Sequence, residues 1–512
     1  MDADRGNGRP VVETHAGRVR GVDDGRVAVW RGIRYGRPPI GAGRWRAPEP
    51  PEPWEGVADA SRFGPASPQS RTPGVPLSPD TVFDEDCLFL NVWRPSGGAD
   101  RKPVMVWLHG GAYAFGSTAQ PIYDASALVT TGDVIVVTVA YRLGALGFLD
   151  LRSVASAGED FDTNLALRDV LLALAWVRDE IAAFGGDPGT VTVFGQSAGA
   201  GLVTALLASP AAAGLFHRAI SESSPAGSMY GAERSAAVAA RFLAAAGVRA
   251  DDSVTLRRLP VEKIVEAAAT VYREVPVASP GTLAFAPVVG DDILPEHPIT
   301  VLSEGRGLPV PLIIGSNRDE ATLFRLMRSP LLPISTPALE RMFEAMRQER
   351  PDAPVPERDQ VLAAYESVRR RALGVGIATD IAFRMPTVWV ASGHASVAST
   401  HLYRFDFATP LLRLTGVGAS HATELPYVWG NLGTLPRDPT YRLGGRRAGE
   451  VLSQRMRTRW TGFARTGNPG DDWRPYTATD RATLVIDRED RLVDDLDGPL
   501  RAGWGDVVLS FR

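Results

Sequence analysis

Of 512 residues only one is cysteine, Cys87, so no intrachain disulfide can form and the stapled, secreted type of small fold is excluded. Lysine is nearly absent as well. Lys102 and Lys263 are the only two, and arginine carries almost all of the positive charge. No basic block occurs and the net charge is −4, which leaves nucleic acid and anionic membrane surfaces without an electrostatic footprint. No stretch approaches the roughly 18 consecutive apolar residues of a transmembrane helix. The opening segment, Met1 to Pro10, is polar and lacks the apolar core of a signal peptide. Together these absences predict a soluble, reduced, cytoplasmic protein. Internal repeats are missing, and no P-loop or G-x-G-x-x-G follows a predicted strand, so no nucleotide cofactor is expected. A metal is not expected either. His421-x-x-Glu424 has part of a zinc-site spacing without a second histidine, and Asp291-Asp292 with Glu296 and His297 reads as a solvated turn.

What is present is an ordinary globular composition, 44% hydrophobic and 22% charged, on a chain long enough for a large core. Val104-Met-Val-Trp-Leu108 and Val134-Ile-Val-Val-Thr-Val139 are nearly continuous apolar runs, as expected of strands covered on both faces in a mostly parallel sheet. Between such runs, residues 163–184 repeat apolar side chains near every 3.6 positions and stop at Gly185-Gly186-Asp-Pro188, which predicts a helix. A second helix is expected over 124–130. Further strands are expected at 87–93, 191–194, 217–221, 284–289, 310–315 and 400–405, and a late helix at 449–466. This alternation predicts βαβ units in an α/β chain. Alanine-rich, helix-like stretches around 230–275 and 325–395 interrupt it, so we expect one domain over residues 1–512 with helical insertions above the carboxyl edge of its sheet. In open α/β sheets that edge is where ligands bind.

Val191-Thr-Val-Phe194 runs into Gly195-Gln-Ser-Ala-Gly199, a G-x-S-x-G between a predicted strand and a small apolar helix. The turn would hold Ser197 strained and exposed, with glycines where a Cβ would collide with the packed strand or helix. A serine nucleophile needs a base, an acid to orient that base, and donors for an oxyanion. The chain order serine, acid, histidine favours His401 or His421, and the loop position of His421 suits a base that must reach across a sheet edge. For the acid, Pro311-Leu-Ile-Ile-Gly-Ser-Asn-Arg-Asp-Glu320 offers Asp319 and Glu320, between which sequence logic does not choose. The amide of Ala198 is one oxyanion donor, and His109-Gly-Gly-Ala112 has the form of a glycine loop that supplies others. Such donors are worth about 3 kcal/mol each.

Seven passages carry a specific resemblance: Glu85-Asp-Cys-Leu-Phe-Leu-Asn-Val-Trp93, His109-Gly-Gly-Ala-Tyr-Ala-Phe-Gly116, Tyr141-Arg-Leu-Gly144, Ala183-Phe-Gly-Gly-Asp-Pro188, Phe194-Gly-Gln-Ser-Ala-Gly199, Asn317-Arg-Asp-Glu320 and His421-Ala-Thr-Glu-Leu-Pro-Tyr-Val-Trp-Gly430. In content and order they resemble the type-B carboxylesterase family, which includes bacterial para-nitrobenzyl-type esterases and cholinesterases. The resemblance implies an α/β-hydrolase fold with helices on both faces of a large, mostly parallel sheet, and hydrolysis of small-molecule carboxylic esters without a cofactor. It assigns the nucleophile to Ser197, the acid to Glu320 and the base to His421. Oxyanion amides fall at Gly111, Ala112 and Ala198, and a supporting serine behind the triad at Ser223.

The chain also departs from that pattern. Ser67 stands where extracellular relatives carry the cysteine that would pair with Cys87. Gln196 replaces the glutamate that precedes the nucleophile in cholinesterases, and the 67–87 loop has no tryptophan, so a choline site is not expected. Ala321 replaces a more usual glycine. Two alternatives remain on sequence grounds: a non-catalytic interaction protein on the same fold, and a hydrolase of carbamates, amides or lactones.

Overall fold

The computed structural model describes residues 9–72, 75–98, 101–154, 160–349, 358–365, 370–433, 438–505 and 507–509. Two sheets organise these residues. A small one joins Val11–Thr14, Gly17–Arg20 and Val57–Asp59. The large one has eleven strands: β1 (Val22–Asp23), β2 (Val27–Arg34), β3 (Phe89–Pro95), β4 (Lys102–Leu108), β5 (Ile135–Val139), β6 (Gly186–Gln196), β7 (Arg218–Glu222), β8 (Leu312–Asn317), β9 (Thr400–Phe405), β10 (Thr483–Ile486) and β11 (Arg491–Val493). Their spatial order is β11-β10-β9-β8-β7-β6-β4-β5-β3-β2-β1. The seven strands from β10 to β5 are parallel, and the antiparallel pairings lie at the two ends.

The apolar runs of β4 and β5 supply two cores at once. Val104, Val106 and Leu108 pack with α2 (Leu165–Glu180) and α3 (Ala198–Ala208) on one face. Met105 and Trp107, their immediate neighbours, pack on the other face with α1 (Ser126–Gly132) and α9 (Arg446–Thr466). Successive strand side chains point to opposite faces, so a sheet covered on both sides needs apolar residues without alternation. Among the described residues no helix is long and apolar enough to cross a membrane.

Three expectations need correction. The segment 284–289 is not a strand. Its backbone is held instead by a side chain, Asn164, which donates to Val288 O at 2.7 Å and accepts from Val288 N at 2.8 Å, and the only pairing is a lone bridge between Tyr230 and Val288. The early helix starts at Ser126, where the Asp124 carboxylate accepts the Ser126 amide, rather than at 124. The nucleophile strand reaches back to Gly186, because Gly185 closes the preceding helix with φ 84° and the chain turns directly into the sheet. The insertions form α4 (Ala232–Ala246), α5 (Val261–Ala278), α6 (Ala321–Leu326), α7 (Thr336–Glu349) and Arg370–Thr379. That last helix continues through a π-helical turn, Asp380–Arg384, into α8 (Met385–His394). Residues 350–357 and 366–369 of the second insertion, like the polar opening segment 1–8, lie outside the described residues.

Candidate active site

Between β6 and α3 the chain turns at Ser197, whose φ of 56° and ψ of −123° place a non-glycine residue in sparsely populated backbone space. The flanking glycines permit the turn for steric reasons. A Cβ on Gly199 would lie 1.9 Å from Leu108 O, and one on Gly195 would lie 2.6 Å from the Gly199 carbonyl carbon. Ser197 is thereby raised at the carboxyl end of β6, half-buried at the floor of a cavity, with the N-terminus of α3 behind it.

The loop after β4 faces this turn. Gly111, Ala112 and Tyr113 all have positive φ (128°, 51° and 61°), and a Cβ on Gly111 would meet Phe115 O at 2.0 Å. Tyr141 anchors the loop by donating its hydroxyl to His109 O at 2.6 Å. His109 itself stacks on Tyr141 at 4.6 Å, and burial lowers its imidazole pKa to about 4, so it stays neutral and structural. Among the described residues the amides of Gly111, Ala112 and Ala198 donate no hydrogen bond within the chain. Three unengaged N–H groups beside one serine make an arrangement suited to an anionic oxygen.

His421 and Glu320 arrive from different segments. Glu320 follows β8, is fully buried, and accepts the Asn317 amide at 2.7 Å on one oxygen. Its other oxygen is 2.6 Å from His421 Nδ1. A carboxylate in that position can only accept, so the Nδ1 proton is fixed and Nε2 carries the lone pair. Asp319 points away, accepting the Ala419 amide and pairing with Arg318, so of the two carboxylates it is Glu320 that meets His421. His401 is buried on β9 against Trp473, and burial lowers its pKa to about 4.

Two features around His421 were not read from the sequence. Phe324 and Phe383 flank the imidazole at 5.2 and 4.8 Å, the second presented by the π-helical turn. Gln196, almost completely buried, brings its carboxamide Nε2 to 3.3 Å from His421 Nε2. Among the described residues no hydrogen bond joins Ser197 Oγ to His421. Neither could have been found by motif, since both depend on which side chains meet across the cavity.

Beneath the imidazole lies a closed polar layer. Glu222 accepts from Trp460 Nε1 at 2.7 Å, and Glu424 accepts from the Asn317 carboxamide. Both are fully buried. Burial, and then the neighbouring Glu320, raises the Glu424 pKa to about 7, and Glu222 is pushed well above the usual carboxylate range by burial and by Glu424. Ser223 sits in this layer with φ 55°, its amide donating to Gly315 O, while its hydroxyl has no partner among the described residues. His421 and Glu424, three residues apart, thus face different partners. Elsewhere, Cys87 is buried with its thiol against the Ser67 hydroxyl, and burial pushes the thiol up.

Above Ser197 and His421 opens a cavity of about 520 Å³. Its roof is apolar, with Leu323, Phe324 and Met327 from α6 and its end, Leu331 beyond it, and Met342 and Met346 from α7. Tyr113 and Phe115 also line it, as do Thr72, Val75 and Pro76.

Comparison with known proteins adds to this geometry. Residues 8–498 match the model of the Carboxylesterase family. The chain is 38% identical to para-nitrobenzyl esterase of Bacillus subtilis (strain 168) over 95% of this chain and 96% of that one. It is 34% identical to phenmedipham hydrolase of Pseudarthrobacter oxydans over 94% and 96%. A solved thermophilic pNB esterase superposes with a TM-score of 0.85 at 36% identity, covering 96% of this chain and 99% of the other.

Proposed function

The chain belongs to the carboxylesterase family and is a carboxylic ester hydrolase of α/β-hydrolase fold that acts on small-molecule esters; from that premise we propose that Ser197, His421 and Glu320 perform the reaction. The observation that carries the assignment is the 2.6 Å contact between His421 Nδ1 and a fully buried Glu320, with the strained Ser197 on the Nε2 side.

In this reading Ser197 Oγ attacks the ester carbonyl as its proton passes to His421 Nε2. The imidazolium that forms is stabilised by Glu320, which stays ionised and fixes the ring's tautomer. The amides of Gly111, Ala112 and Ala198 receive the developing oxyanion. His421 then returns the proton to the departing alcohol, leaving an acyl-Ser197. Water, deprotonated by the same imidazole, attacks that ester, and the acid is released. Ser223 supports the triad from the polar layer beneath it. No cofactor or metal takes part in any step.

The cavity suits neutral, largely apolar esters. Gln196 stands where an anion would be needed for a cationic substrate, and the roof offers methylene, thioether and aromatic surface. The helices of 230–275 and 325–395 act as a cap on a single catalytic domain. We further read the protein as a bacterial enzyme, on its likeness to an esterase of Bacillus subtilis, and as a cytoplasmic one, on the unpaired, buried Cys87. A second reading extends the same chemistry to carbamates, amides or lactones. The relationship to a phenmedipham hydrolase makes phenmedipham the first compound to add to an ester panel. Ser197→Ala is expected to abolish turnover of a short-chain para-nitrophenyl ester and labelling by a fluorophosphonate, with the fold retained. Turnover in that variant would overturn the assignment, whereas an unaltered protein that neither hydrolyses the ester nor takes the fluorophosphonate would point to a non-catalytic interaction protein.

A further inference from the structure

We infer that Gln196 is a positioning residue that controls the protonation of His421: its carboxamide donates to Nε2 in the resting enzyme and holds the imidazole as a neutral base until Ser197 takes its place. This rests on the assignment of Ser197, His421 and Glu320 given above.

The direction of the contact follows from the partners on either side. Glu320 fixes the proton on Nδ1, so Nε2 can only accept, and the group 3.3 Å from it must be the NH2 end of the amide. The opposite end fits this orientation. A Cβ on Gly110 would lie 2.9 Å from Gln196 Oε1, so the oxygen rests against the glycine loop while the nitrogen reaches the imidazole. The carboxamide therefore lies between the glycine loop and the imidazole. A hydrogen bond donated to the neutral form of a base disfavours its protonated form.

The other groups facing the ring are Phe324 from α6, Phe383 from the π-helical turn, Glu320, and Glu424, which attracts the imidazolium only when ionised. Both carboxylates favour protonation. Gln196 is the polar group that opposes it. A glutamate in its place would invert the sign, since a carboxylate beside Nε2 demands a proton there.

The test is the lower limb of the pH profile of kcat/KM for a para-nitrophenyl ester. Gln196→Met keeps the shape and removes the donor, and should move that limb upward by roughly half a pH unit, the worth of one neutral hydrogen bond. Gln196→Glu should move it upward by about 1–2 units, the effect of a charge at this range. A limb unmoved in both, or moved downward, overturns the inference. The 15N resonance of His421 Nε2 gives a readout that needs no change at Gln196. In Ser197→Ala it should still report an accepted hydrogen bond, as in the unaltered protein, because the donor is Gln196. A shift to a free acceptor overturns it. Turnover by Ser197→Ala would sink the nucleophile assignment instead, so the two failures are distinguishable.

Discussion

The floor and the roof of the cavity are built by opposite means. The floor is backbone: a serine and three loop residues at positive φ, amides left free, and glycines with no room for a methyl group. Several of its polar side chains are buried and held, Glu320 by Asn317 and His421, Glu424 by Asn317, and Gln196 by His421. The roof is side chain: leucine, methionine and phenylalanine on short helices that can repack. The difference separates chemistry from specificity. Backbone geometry admits little substitution, whereas an apolar wall changes shape at modest cost in stability.

Substitutions should break that contrast in a graded order. Glu320→Gln keeps the shape of the floor but lets the imidazole adopt the wrong tautomer, and should lower kcat/KM by about 10⁴ with the melting temperature little changed. Gly199→Ala forces a Cβ toward Leu108 O, displaces the nucleophile turn, and should cost about 100-fold or more in kcat together with stability. On the roof, Met342→Ala and Met346→Ala should leave turnover of a small acetate ester within a few-fold. They should change the ratio of kcat/KM for bulky against small esters by about tenfold. If that ratio stays fixed while turnover collapses, the division between floor and roof fails.

The smallest effect concerns stability alone. The Glu424 carboxyl has a folded pKa of about 7 against an ordinary 4.5. The folded chain therefore keeps a proton that the unfolded chain has lost, and stability declines as pH rises from about 4.5 to about 7. Glu424→Gln retains an acceptor for Asn317 and cannot ionise. Its melting temperature should exceed that of the unaltered protein by a few degrees at pH 8, and the advantage should vanish near pH 4.

Much of this was legible in the residues. Continuous apolar runs at 104–108 and 134–139 signalled strands buried on both faces, and the two cores divide Val106 from Trp107 as that requires. The motif at 195–199 carried its own steric argument, which the Leu108 and Gly199 carbonyls confirm. The segment 284–289 read as a strand because its residues are apolar and β-branched, a pattern that reports burial rather than pairing. Asn164, 124 residues away in sequence, decides its backbone partners. Asp319 and Glu320 are equivalent as letters. They differ because one faces Arg318 and Ala419, and the other faces a closed interior containing His421.

The sequence by itself determined the elements whose cause is local: strands from apolar runs, turns from glycine, and a serine forced into a strained elbow by its neighbours. It also carried the order in which the serine, the carboxylates and the histidine proposed for the reaction follow one another along the chain. Only the tertiary structure decided which groups meet. The contact of Gln196 with His421 spans 225 positions, and that of Glu320 with His421 spans 101. No local propensity encodes such distances. They are set by the packing of β6, β8 and the loop after β9 on one sheet edge, which brings groups far apart in the chain within hydrogen-bond distance of one another.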